Sequence, residues 1–141
     1  MNILFSCNLC DIKKGNSSSH INSIKSPNGT IVLNIDINEG NLFYSVYKNN
    51  KLIIRDSQLG LIADKFDLAN NLYVKGSHQN SHNETWTQVW GEQKEVIDNH
   101  NELVITLASK KSGLDIYVRF RVFDDGLGFR YELPKKYHTK T

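Results

Sequence analysis

The 141-residue sequence is short of several things, and each shortage removes a class of explanation. It has no apolar run approaching the roughly 20 residues that a membrane-spanning helix needs. Positive charge is in no surplus: 17 Lys and Arg against 15 Asp and Glu leave a net charge of +2, and with four arginines the chain lacks the basic excess of a nucleic-acid binder. Two prolines and two cysteines exclude a proline-rich linker protein and a disulfide scaffold. No stretch repeats apolar residues at helical spacing, and no internal repeat of fixed period is visible.

Both cysteines, Cys7 and Cys10, lie in a Cys-x-x-Cys near the N-terminus. No strand-like segment leads into them and no second pair follows, which counts against a redox pair or half a zinc site. Leu4-Phe5-Ser6-Cys7 resembles the end of a bacterial lipoprotein signal, followed by the polar Lys13-Lys14-Gly15-Asn16-Ser17-Ser18-Ser19, although the charged start and apolar core of a full signal are missing. Residues 1–25 are therefore expected to form a flexible tether, with Cys7 lipidation as the route to a membrane, and 26–141 a single domain.

What is present is alternation. Thr30 to Asn38 sets Ile31, Leu33, Ile35 and Ile37 against Val32, Asn34 and Asp36; Asn41 to Lys48 repeats the pattern, and Asn49-Asn50 separates it from Lys51 to Arg55, a tight-hairpin signal because Asn tolerates left-handed φ. Gln58 to Ala63 reads as a short strand, Asp67 to Asn70 as a helical turn, and Leu72 to Val74 as extended. His78 to Asn83 and Asn99-His100-Asn101 read as polar loop and turn. Glu102 to Ala108, Leu114 to Phe123 and Gly128 to Leu133 are further strands, the last two joined by an Asp124-Asp125-Gly126 turn. Eight or nine strands without a helix predict an all-β sandwich or barrel.

Glu84 to Glu95 holds both tryptophans, Trp86 and Trp90, and three of the six glutamates. The two rings could offer flat faces to a sugar, or pack in a core or domain seam; four residues apart, they would share one face of a regular strand. Glu84, Glu92 and Glu95 supply carboxylate pairs on paper, but glycosidase chemistry needs a fixed separation that this segment does not specify. His78, His82, Glu84 and His100 fit no sharp metal motif. Arg119, Arg121 and Arg130 cluster on the last two strands, where they could meet Asp115 or Glu132.

Taken together, Ser26-Pro27-Asn28-Gly29, Glu84-Thr85-Trp86, Trp90-Gly91-Glu92, Asn99-His100-Asn101-Glu102-Leu103 and Arg119 through Tyr131 resemble the N-terminal domain of glycoside hydrolase family 97 over roughly residues 24–134. The resemblance implies an antiparallel β-super-sandwich, similar to the galactose mutarotase-like fold and incomplete here, with an unpaired edge. It implies a bacterial, exported α-glucosidase or α-galactosidase, periplasmic or lipid-anchored, acting on an α-linked oligosaccharide. The family's catalytic (β/α)-barrel and most ligands of its calcium lie outside this stretch. No catalytic or metal residue is carried over, the isolated chain is expected to be inactive, and Trp86, Trp90, Glu92 and His100 are the substrate-contact candidates. The reading from another class is an autonomous carbohydrate-binding module using Trp86 and Trp90.

Overall fold

The computed structural model describes residues 19–63, 66–90 and 95–134. Among them are ten strands and no helix. The first sheet is a meander of β1 (Ser19–Lys25), β2 (Ile31–Asn38), β3 (Asn41–Lys48) and β4 (Lys51–Leu59), in that order. A two-strand ribbon, β5 (Ile62–Ala63) with β6 (Phe66–Asp67), leads to the second sheet, where β7 (Leu72–Thr87), β8 (Glu95–Ser109), β9 (Asp115–Val122) and β10 (Leu127–Glu132) again form an antiparallel meander.

The turns follow the local chemistry. Glu39 and Gly40 have φ of 51° and 80°, and Asn49 and Asn50 have 51° and 64°. Two successive positive φ values give the turn whose twist matches that of two joined strands. Gly40 carries a second constraint. Its carbonyl accepts from the Leu72 amide at 2.8 Å, and a Cβ there would lie 2.9 Å from the Asn71 Cα, so the β2–β3 turn is pressed onto the start of β7. In the Ser26-Pro27-Asn28-Gly29 turn, Asn28 Oδ1 accepts from the Thr30 amide at 2.9 Å, while the Asn28 amide donates to Asp124 Oδ1 at 2.8 Å and ties this turn to the one between β9 and β10.

The inward faces make one core. Leu33 and Ile35 from β2 with Leu42 and Val46 from β3 belong to the same buried cluster as Leu103, Ile105 and Leu107 of β8 and Ile116, Val118, Phe120 and Val122 of β9. The pairings Leu103↔Phe120, Ile105↔Val118 and Leu107↔Ile116 put all six of those β8 and β9 side chains on one side of the sheet. Hydrogen bonds close one flank: Asn22 Nδ2 donates to Ser77 Oγ at 2.8 Å, Gln79 Nε2 to the Ser23 carbonyl at 3.1 Å and Asn101 Nδ2 to the Lys25 carbonyl at 2.8 Å. The opposite flank, between edge strands β4 and β10, is open; an apolar cleft of about 480 Å³ lies there, lined by Tyr44, Ile53, Ile54, Leu127 and Phe129 among others.

Four sequence expectations change. Residues 19–25 form a paired strand with Ile24 buried in the core, so the last part of the expected tether belongs to the sandwich; residues 1–18, with Cys7 and Cys10, lie outside the described residues. The expected helical turn at Asp67 to Asn70 is a bend held by Asp67 Oδ1, which accepts from the Ala69 amide at 2.9 Å, the local side-chain bond by which Asp competes with helix. The strand expected over Gln58 to Ala63 is divided, because β4 runs on to Leu59 and β5 starts at Ile62. His78 to Asn83 and Asn99 to Asn101 are neither loop nor turn: they pair within β7 and β8, from Leu72↔Ser109 to Thr87↔Glu95. His78 to Asn83 looks like loop because both faces of β7 meet solvent there, and Asn99 to Asn101 because its residue types are polar; neither shows the apolar alternation by which a strand is recognised.

Phe120 is fully buried at the centre of the core. Phe120→Ala is expected to cost about 3–5 kcal/mol through lost transfer energy and the cavity left behind. Urea unfolding of the two proteins measures it; a loss below about 1 kcal/mol would contradict this packing.

Candidate sugar-site face

The β7–β8 pairing builds the candidate site. β9 covers β8 only from Asn101 to Ala108, so residues 82–87 and 95–100 extend past it as a two-stranded arm, about 17 Å long at strand rise. Even-numbered residues from Asn80 to Trp86 point to the outer face, opposite Glu102, His100, Asp98 and Val96 in turn.

The base of this face is a charge network. Glu102, in the opposite phase to Leu103 and Ile105, sits across from Arg121 and accepts from Arg121 Nε at 2.9 Å and from Arg119 Nη1. Glu132 accepts two bonds from Arg119, from Nε at 2.8 Å and Nη2 at 3.2 Å, and one from Arg130 Nε at 2.7 Å. The cluster of arginines expected from the sequence therefore does meet Glu132. Asp115 instead takes Lys75, with Nζ 3.1 Å from each oxygen.

Charge-assisted bonds favour the ionised carboxylate. For Glu132, the Arg119 hydrogen bond is the largest cause and outweighs burial, holding the carboxyl down at about 2. Burial pushes Glu102 up, but the Arg121 hydrogen bond and the two guanidinium charges together prevail, and its pKa is also lowered. A glycosidic general acid needs the reverse, a carboxyl kept protonated near neutrality. Neither residue can serve in that way.

Further out, His100 is only 3% exposed although it faces outward. The rings of His82 and Phe123 cover it, with centroids 5.1 and 5.0 Å away, and its Nδ1 is 2.5 Å from Asp98 Oδ1. An ionised carboxylate only accepts, so Nδ1 donates and Asp98 fixes the ring's orientation. His82 Nε2 lies 3.3 Å from Glu84 Oε2 and 3.9 Å from Asp98 Oδ2. Among the described residues no group of three or more His, Cys, Asp or Glu side chains is placed to hold a metal ion.

At the tip, Trp86 is 45% and Trp90 88% exposed, with Val89 and Ile97 also open to solvent. Among the described residues neither tryptophan packs in the core, whereas the sequence alone allows packing in a core or a domain seam as well as sugar contact. Nor do they share a strand face, because β7 ends at Thr87 and Trp90 lies in the bend beyond it. Glu92 falls in 91–94, outside the described residues. The structure thus brings His100 together with His82, Asp98 and Glu102, and sets Trp86 farther along the same face. Glu102 and Asp98 were not singled out from the sequence as site residues; the phase of Glu102 against Leu103 and Ile105 was the available signal for the first.

Residues 24–141 match the model of the glycosyl-hydrolase 97 N-terminal domain. A glycoside hydrolase family 97 enzyme from Pseudoalteromonas sp. strain K8, solved with panose and with acarbose, aligns with a TM-score of 0.76 and 36% identity over 83% of this chain and 18% of that chain. A beta-arabinopyranosidase aligns with a TM-score of 0.73 and 30% identity over 79% of this chain and 18% of that chain. The chain therefore spans less than a fifth of the length of these enzymes.

Glu132 contributes stability that is fully present above the ordinary carboxylate value of 4.5 and is lost as the pH falls through about 2, and Glu102, whose pKa is also lowered, contributes in the same direction. The urea midpoint should drop across that window. Glu132→Gln should lower the unfolding free energy at neutral pH by about 1–2 kcal/mol and flatten the acid part of the profile; an unchanged profile in the variant would remove the network from the stability account.

Proposed function

The chain belongs to the glycosyl-hydrolase 97 N-terminal family, and from that premise we propose that it is the β-sandwich of an exported bacterial α-glycosidase, of α-glucosidase or α-galactosidase type, which packs against a catalytic (β/α)-barrel and shapes the rim of its sugar site. The observation that carries the proposal is the arm. Its tip exposes Trp86, Val89, Trp90 and Ile97, while its base is anchored in a fully paired sheet. Isolated apolar residues are ordinary on a surface, but two tryptophans with Val and Ile at the end of one projecting ribbon fit a docking contact.

The same tip can reach an oligosaccharide held by the barrel, with Trp86 and Trp90 as aromatic faces and Glu92 as a polar partner; His100, buried under His82 and Phe123, acts farther back. Hydrolysis and calcium binding belong in this reading to the barrel. Export fits the lipoprotein-like Ser6-Cys7, and labelling of Cys7 with a fatty-acid analogue in a bacterial host tests it.

Docking is tested by adding the 141-residue chain to the Pseudoalteromonas enzyme from which the matching segment has been deleted, and following both association by interferometry and hydrolysis of panose. The chain should bind and raise the rate. Trp90→Ala should weaken binding by about 2 kcal/mol, near thirty-fold, as for an interface anchor. Absence of both association and rate recovery would overturn the docking role.

A further inference from the structure

The docking tip leaves unused a second feature of the same ribbon. At the base of the arm, on the outer face, is an open recess of about 380 Å³. Asn80, His82, Asp98, His100, Glu102 and Arg121 line it. The volume lies within the ~300–1,000 Å³ typical of small-molecule sites.

The lining selects the chemistry of a ligand. It combines acceptors, on Asp98 and Glu102, with donors, on Asn80 and Arg121, the mixture that neighbouring hydroxyl groups require. Its charged side chains are two carboxylates and one guanidinium. Arg121 and Arg119 both bond Glu102, and Asp98 faces the two imidazoles. With both guanidiniums engaged by Glu102, no cation is left free for a phosphate. Two flat walls for stacking a nucleobase are also missing, since the Phe123 ring already packs, tilted, against His100. A neutral polyol of one-ring size fits these conditions.

The groups are also held before any ligand arrives. His100 is oriented by Asp98 and wedged between His82 and Phe123, and Glu102 is fixed between two arginines. Little side-chain entropy remains to be lost on binding. Beyond the recess, Glu84 and then Trp86 continue on the same face, with Trp86 about 13 Å from His82 along the strand. A ligand longer than one ring would run from the polar recess toward a half-exposed aromatic face, which suits the C–H side of a pyranose.

We propose that the recess bounded by Asn80, His82, Asp98, His100, Glu102 and Arg121 binds one pyranose unit of a neutral oligosaccharide, with further units lying along the ribbon toward Trp86. The choice of sugar rests on the glycosidase reading above, whereas the site belongs to this chain alone and needs no barrel.

The test is a titration of the isotope-labelled 141-residue chain with maltotriose and with melibiose, followed by amide shifts. At least one sugar should give saturable, millimolar shifts at residues 80–84 and 98–102. Asn80→Ala and Trp86→Ala should each weaken binding by about five-fold, the loss of one hydrogen bond or one ring contact, and Lys51→Ala, on the other sheet, should not. Asn80 and Trp86 are solvent-exposed, so both variants should keep the parent fold, checked by unchanged shifts elsewhere. Glu84→Gln provides a third, isosteric variant. No saturable shift with either sugar, shifts confined to Val89 and Trp90, or binding untouched by all three variants would each overturn the recess. Docking to the deleted enzyme reads out separately: docking with no titration sinks the recess alone, and titration with no docking sinks the scaffold role alone.

Discussion

The register between β7 and β8 is the constraint on which the rest of the molecule depends. Fifteen paired positions, from Leu72↔Ser109 to Thr87↔Glu95, fix at once which β8 side chains enter the core and which face out. Because side chains alternate strictly along a strand, a slip by one residue would exchange the two sets, turning Leu103, Ile105 and Leu107 to solvent and Glu102 into the core. The buried half prevents that slip. Burying an unpaired carboxylate and exposing three large aliphatic groups would together cost far more than the few kcal/mol by which a domain is stable.

The polar half of the hairpin has no core of its own, so it borrows register from the buried half. Its outer ribbon contains Asn, Ser, His and Glu, residues that are weak strand formers. It persists because each added backbone pair extends a ladder already in place, and because cross-strand contacts such as His82 with His100 reinforce it. The network of Arg119, Arg121, Glu102 and Glu132 does the corresponding work where three strands lie side by side, bracing β8, β9 and β10 on the face away from the core.

The sequence revealed these parts unequally, for a physical reason. Alternation marks a strand most clearly where one face is buried and the other wet, and β2 and β9 meet that condition over most of their length. The Asn49-Asn50 hairpin was legible because two successive left-handed residues are rare outside that turn. His78 to Asn83 was not, since a strand exposed on both faces has the composition of a loop. Asp67 misled in the opposite direction: a carboxylate that caps a bend locally resembles one that starts a helix. At the site, the tryptophans were conspicuous as residue types but their exposure depends on where β7 stops, and the grouping of His82, Asp98, His100 and Glu102 depends on pairings between residues 14 to 22 positions apart.

The same register also separates two kinds of surface that a shorter hairpin would have merged. Near the base, pairing to β9 on one side supplies the arginines that neutralise Glu102, so polar side chains can be held close together there. Near the tip, no third strand is present among the described residues, and the apolar Trp86, Val89, Trp90 and Ile97 stand clear of the sandwich. Ordered polar groups favour a ligand whose hydroxyls match them, whereas exposed rings on a narrow ribbon gain by being covered over a wider area. One backbone pairing thus carries a preorganised recess at one end and an adhesive tip at the other, and the distance between them, about 13 Å from His82 to Trp86, is set by strand rise and not by any side chain.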